Sequence, residues 1–471
     1  MNLFLLLTRE AVIMKLDQIK NNLLHTGVAI ALVAGMASFT LPSAYAGGKI
    51  TIDDTKWISI GMGMRMSYNA VQNFSASTGA RALGATGLVA PGYSANPLSG
   101  ADYSSDFGLN NARIYIDGQI HKYIKFTFNT ECFNCFIGGN AAVFGGNSSV
   151  GMLDAIGKFE FNRYFNIWAG RTLVPNTRGE LNGPFYHQTF EGFKTPFFPA
   201  DFSGNFNGAL GAFTSAPGQA GLYGRDNGVV FFGDLEIPQP WGNNGTLQYS
   251  TMISTGLKSA FLLGPNQKES NSWTGRLTYN FLNPEKNPGY YTSGGYYGGA
   301  GDILALAIAV QHQKDGAGTF AQRSDFTGLV VDLLFEKPFE NNMGTFTFNA
   351  EYKHFWADYD KLTGGATAFA GPACFCMFRG TSWTMYGLYL IPHKVGIGRF
   401  QPYGRFTSIT PDMSSNREEL EFGTNYVIDG YNARLSAFYQ HGDLYTKGLF
   451  YGPIAVGKKV DKFTVALQLQ I

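Results

Sequence analysis

The segment 461–471, D-K-F-T-V-A-L-Q-L-Q-I, constrains the fold more than any other stretch of this chain. Phe463, Val465, Leu467, Leu469 and Ile471 alternate with Thr464, Ala466, Gln468 and Gln470. An extended strand therefore carries apolar groups on one face and small or polar groups on the other. A strand ending a chain needs a neighbour for its backbone groups. In an open sheet it is an edge to be protected, whereas in a closed barrel it pairs with the first strand. The same two-residue period appears far upstream. Ile58, Ile60, Met62, Met64, Met66 and Tyr68 alternate with Ser59, Gly61, Gly63, Arg65 and Ser67, over about eleven residues, the length of a tilted membrane-spanning strand.

The pattern recurs between these two segments. Ala112, Ile114, Ile116 and Ile120 interleave with Arg113, Tyr115, Asp117 and Gln119, and the pair His121-Lys122 turns the chain into 123–131, where Ile124, Phe126 and Phe128 oppose Lys125, Thr127 and Asn129. Further strands are predicted at 151–161, 165–174, 226–237, 245–257, 271–282, 301–313, 325–336, 344–356, 380–391, 399–409, 418–427, 431–441 and 460–471. The total is about sixteen, an all-β, transmembrane antiparallel β-barrel. An even count puts both termini at one rim, with the short turns 121–122, 162–164 and 429–430, while long loops such as 69–106 fall at the other. Two connections break this rule: 283–301 is long yet belongs to the short-turn rim, and 392–398 is intermediate.

Composition separates the remaining classes. With 60 Gly, 40 Phe and 25 Tyr against 15% charged residues, and a mean hydropathy of -0.08, the chain is too polar for a bundle of membrane helices. It matches a barrel with one lipid face and one water face. A formal charge of +1 gives no reason to expect nucleic acid as a partner. Residues 1–46 read as an export signal: Lys15 and Lys20, an apolar run at 27–41, and small residues at Ala44-Tyr45-Ala46 before a cleavage site. Met14 is a possible true start. The run is shorter than the 18 to 20 or so apolar residues of a membrane helix. Residues 47–471 form the barrel domain. The soluble rival, a secreted sandwich or propeller, would space its strands evenly every 8 to 12 residues or so. Here Trp57, Tyr68, Trp168, Trp356, Trp383 and Tyr389 sit near strand ends, where interfacial girdles lie.

Chemistry in a barrel of this kind belongs to inward side chains and to long loops. The connection 175–225 exceeds what joining two strands requires and is expected to fold inward as a constriction loop. It carries Arg178, Glu180, His187, Glu191, Lys194, Asp201 and Arg225. Strand phase turns Arg65, Arg113, Lys125, Arg276, Lys353, Arg405 and Arg434 inward, against Asp117, Glu160, Glu351 and Glu421. With Arg171 at the exit of its strand, these are the pore-lining candidates. Basic rows favour anions, and the planar Arg fork suits phosphate. The competing role for each Arg is a salt bridge that stiffens the wall. The cysteines form two tight pairs, Cys132/Cys135 and Cys374/Cys376, placed at long-loop ends. The C-x-x-C spacing lacks the following His of a haem attachment site, Phe136 standing there instead. The oxidising setting favours disulfides over a four-thiolate metal site, with local and cross-loop pairings both open. No G-x-S-x-G elbow or H-E-x-x-H spacing speaks for an enzyme, and no metal or cofactor is expected.

The segments 111–129 (N-A-R-I-Y-I-D-G-Q-I-H-K-Y-I-K-F-T-F-N), 168–175 (W-A-G-R-T-L-V-P), 287–306 and 421–439 together resemble the phosphate-selective porin O/P family and its broader relatives. The resemblance implies an outer-membrane porin, commonly trimeric, passing small solutes, often anions, through a constricted water-filled lumen. Lipid, lipopolysaccharide and two further copies of the chain would be its partners. Ile471 departs from the family's usual terminal aromatic residue. The alternatives are a barrel partner of an extracellular electron-transfer system and a secreted, non-channel binding protein.

Overall fold

A computed structural model describes residues 48–72, 103–133, 149–196, 224–240, 244–256, 270–319, 323–357, 374–375, 378–412, 414–447 and 457–471. The expected export signal thus lies outside the described residues. Eighteen paired strands form one sheet, and setting aside two short ones leaves sixteen that make up the wall. They are β1 (Trp57–Gln72), β2 (Tyr103–His121), β3 (Ile124–Phe133), β4 (Ser149–Glu160), β5 (Asn166–Leu173), β6 (Arg225–Pro238), β7 (Asn244–Ser254) and β8 (Ser272–Asn280). The second half comprises β9 (Ile303–Thr319), β10 (Arg323–Pro338), β11 (Thr345–Ala357), β12 (Gly380–Leu390), β13 (Arg399–Pro411), β14 (Arg417–Asp429), β15 (Ala433–Gly442) and β16 (Val460–Gln470). Each pairs antiparallel with its sequence neighbours. The alternation located all sixteen, with ends displaced by a few residues; β1 and β2 reach further into 69–106 than expected.

Closure is made by β16 against β1, in the register Gln468 to Arg65 and Thr464 to Asn69. The Met62 amide donates to the Ile471 carbonyl at 3.0 Å, and the Ile471 amide to the Met62 carbonyl at 2.8 Å. Beyond that point a four-residue strand, Gly48–Thr51, takes over the same edge of β1, pairing Gly48 with Ile60 and Thr51 with Trp57. Two separate segments thus cover one edge of β1, and the barrel is closed.

Side-chain burial follows the pleat. In β1, Gly61, Gly63, Arg65 and Ser67 are buried inside while Ile60 and Met62 are exposed outside. Leu306 and Ile308 of β9, Phe422 of β14, and Phe463 and Leu469 of β16 are likewise exposed. A wall with polar groups inside and aliphatic and aromatic groups outside suits a lipid surround, not water. Trp273, Trp356 and Tyr389 are exposed near strand ends. Trp168, expected among them, is instead fully buried inside the barrel against Phe232 and Tyr290. Its position on the inward phase of β5 dictates this.

Candidate functional site

Two connections enter the interior from opposite rims. The first leaves β5 at Leu173, at the rim away from the termini. Its described part, 174–196, is buried throughout except for Tyr186; residues 197–223 lie outside the described residues. It opens with one helical turn, Arg178–Leu181, capped by the Thr177 side chain, which accepts from the Glu180 amide. His187 then folds back to meet the Gly179 carbonyl through Nε2 at 2.9 Å. Gly192, at φ 64°, lies so close that a Cβ there would sit 2.5 Å from the His187 ring. Burial, with Arg65 next in effect, pushes the His187 pKa down to about 3.

An irregular segment inside a barrel exposes carbonyls that no ladder satisfies. The wall supplies the donors. Arg434 Nη1 donates to the His187 carbonyl at 2.8 Å and to that of Gln188 at 3.0 Å. Arg276 Nη1 reaches the Asn176 carbonyl at 2.8 Å, Lys353 Nζ that of Pro196 at 2.8 Å, and Gln468 Nε2 that of Phe185 at 2.9 Å. Arg65 donates to the Phe190 carbonyl and lies 4.1 Å over the Phe190 ring. Arg405 donates to the Gly192 carbonyl. Arg171 Nε donates to the Leu153 carbonyl of β4 at 3.0 Å. The inward bases are thus engaged with the loop and the wall.

Carboxylates take the remaining valence. Arg178 pairs through Nη2 with Glu285 at 2.6 Å and through Nε with Asp332 at 2.9 Å, and Arg276 shares Asp332 at 2.6 Å. Lys353 pairs with Glu351 at 3.1 Å, while Arg113 and Arg225 pair with Glu131 and Asp154. Glu191 of the loop meets Lys462 at 2.7 Å, Lys194 more closely, and Arg405 at 3.7 Å. Burial pushes the Glu191 carboxyl up, but Lys194, Lys462 and Arg405 together outweigh it and hold it below the usual carboxylate range. Ligand oxygens of Glu191, Glu419 and Glu421 lie within 4.8 Å of one another, a spacing that could hold a cation. Arg405, Lys194 and Lys462 already neutralise the trio.

The second inward connection is the anomalous one, 281–302 between β8 and β9, at the rim that carries the termini. It is long because it folds inside. Tyr290 is fully buried in an apolar cluster with Ile156, Trp168, Leu173, Leu181, Val230, Phe232 and Met252. Gly289, at φ 57°, passes so near Trp168 that a Cβ would come within 2.6 Å of its ring. The two connections are joined directly: Thr292 Oγ1 donates to Asn182 Oδ1 at 2.6 Å, and the Gly294 amide to the Tyr186 carbonyl at 2.8 Å. Glu336 of β10 accepts from the Tyr296 and Gly298 amides at 2.8 and 2.9 Å.

Arg65, Arg113, Arg171, Arg178, Lys194, Arg225, Arg276, Glu351, Lys353, Arg405 and Arg434 are all buried on the inner side, whereas Asp117 and Lys125 reach water. Strand phase alone would also have found Asp154, Lys158, Asp332, Glu419 and Lys462. Glu285 and Tyr290 lie off the strands, where phase has no meaning. Cys132 is disulfide-bonded. Cys135 and Cys376 lie outside the described residues, and Cys374 belongs to a two-residue strand paired to β9.

Fold and interior together define a closed sixteen-stranded antiparallel barrel with two inward connections. No family model matches the chain, and no curated protein matches it. Solved structures similar to it include the anion-selective porin of Comamonas acidovorans (12% identity over 88% of this chain and 100% of that chain, TM-score 0.48). The complex of Salmonella typhi OmpF with daunomycin is similar at 11% identity over 90% of this chain and 100% of that one, TM-score 0.49. The outer membrane channel DcaP of Acinetobacter baumannii is similar at 12% identity over 91% and 100%, TM-score 0.49. These are distant resemblances, and the architecture rests on the strand pairing above.

Proposed function

We propose that this chain is an outer-membrane porin, a water-filled channel for passive diffusion of small hydrophilic solutes rather than an enzyme. The supporting observation is the combination of an apolar exterior with a polar interior into which a long connection folds. That connection would set the narrow part of the pore. Membership of the phosphate-selective porin O/P family, trimeric assembly and contact with lipopolysaccharide belong to the same reading. Preference for anions such as phosphate is its finer part. Arg65 and Arg434 favour it, since neither has a carboxylate within ion-pair distance among the described residues; against it, both are fully buried. Reconstitution into a planar bilayer tests both levels. Stepwise ohmic currents support the channel, and a membrane that stays silent with correctly folded protein present rejects it. A salt-gradient reversal potential on the cation side would reject the anion preference alone.

A further inference from the structure

The connection 281–302 enters from the terminus-side rim and is tied to the barrel unevenly. Its hydrogen bonds and ion pairs run to β5, β7, β9, β10, β11 and β15, to the β6–β7 and β14–β15 turns and to the loop 174–196. Among the described residues no hydrogen bond or ion pair runs to β1–β4; Ile156 of β4 shares the apolar cluster of Tyr290. Trp168 stands at the edge of the tied sector: its ring packs against Tyr290, at 5.4 Å between centroids, and also carries the Lys158 ammonium at 4.1 Å.

Beyond that edge lie four charged side chains on the inner face of β2–β4. Register brings them together: Asp117 stands opposite Thr127, and Lys125 opposite both Gln119 and Lys158. Lys125 pairs with Glu160 at 2.6 Å and Lys158 with Asp117 at 4.0 Å, while Trp168 Nε1 donates to Glu160 at 3.2 Å. Their side chains keep water contact, 47% for Asp117, 32% for Lys125, 26% for Glu160 and 12% for Lys158. The buried bases nearer the loop keep almost none. Tyr186, the one exposed residue of 174–196, lies within electrostatic reach of Asp117 and Arg113.

We propose that the sector over β2–β4 is the route by which solute passes the terminus-side half of the barrel, and that Asp117, Lys125, Lys158 and Glu160 set its ion selectivity. This rests on the channel reading. Two ammonium groups and two carboxylates line this path, so neutralising any one of them leaves a net charge on it. Screening by water and salt does not cancel a charge lining a narrow path.

Reversal potentials in a potassium chloride gradient test it. Asp117→Asn is expected to shift the potential towards anions and Lys125→Gln towards cations. Lys125→Cys adds a readout independent of these: a charged, water-soluble thiol reagent should alter its current, whereas Thr464→Cys, inward but buried, and the wild-type chain should be unaffected. A silent wild-type protein would remove the channel reading and this site with it. Conducting variants with unchanged reversal potentials, together with an unmodified Lys125→Cys, would overturn the site and leave the channel standing.

Discussion

Arg178 shows how the interior is held at the scale of one side chain. Its guanidinium reaches Glu285 of one inward connection, Asp332 of the wall and the Ser293 carbonyl, from a helical turn in the other connection. Breaking a buried pair by removing one partner costs about 3 to 5 kcal/mol, because the abandoned charge stays desolvated. Arg178→Leu leaves Glu285 without its guanidinium while Asp332 keeps Arg276. Faster proteolysis within 281–302, on a barrel that stays intact, is the expected result; unchanged resistance would show that the pair holds nothing. His187 gives the pH dependence. Its folded pKa lies below the unfolded value of 6.5, at about 3, so only the unfolded loop takes up a proton between those values. The contribution is complete above about pH 6.5 and falls by about 1.4 kcal/mol per unit on acidification to about pH 3. His187→Gln should flatten that part of a loop-proteolysis or conductance profile against pH. Strand phase assigned Arg65, Arg405 and Arg434 to the inner face from sequence. It did not give their partners, the carbonyls of Phe190, Gly192 and His187, because those depend on the path of a loop with no period to read.

At the scale of elements, the strands were legible and the connections were not. A pleat imposes a period of two on every wall strand, so sixteen segments could be read without knowing their neighbours. The connection 283–301 was legible only as a misfit, too long for its rim. Its Gly and Tyr content makes sense once it is inside: Gly289 allows the approach to Trp168, and Tyr290 fills the space beside it. Nearness to a strand end points Trp168 to the outer girdle, whereas its phase on β5 turns it inward. Phase was the better guide. Truncating a buried aromatic costs about 3 to 5 kcal/mol, so Tyr290→Ala should loosen this connection and admit water to Trp168. A red shift and stronger quenching of tryptophan emission would report it, with a Trp168→Phe background identifying the source. An unchanged spectrum would mean that Tyr290 is not what seals the cluster.

For the whole molecule the decisive property is which solvent touches the outside. Val465 sits midway along β16 on the outward phase, facing Tyr68 of β1 and Ala437 of β15 in register. In a bilayer this position lies near mid-depth, where an arginine on the lipid face costs about 2 to 4 kcal/mol, falling towards zero or so at the interfaces. A soluble barrel would instead gain from the charge, as its exposed apolar patches invite association. Val465→Arg therefore separates the two surrounds by sign. In lipid vesicles its denaturation midpoint should fall below that of the wild-type protein, and Asp461→Arg, on the same phase near the rim, should fall less. The seam gives the comparison its sensitivity, because β16 and β1 hold each other's free edges and a weakened β16 opens the barrel rather than fraying one strand. Equal midpoints for both variants, or improved solubility of Val465→Arg without detergent, would show that lipid does not cover this face.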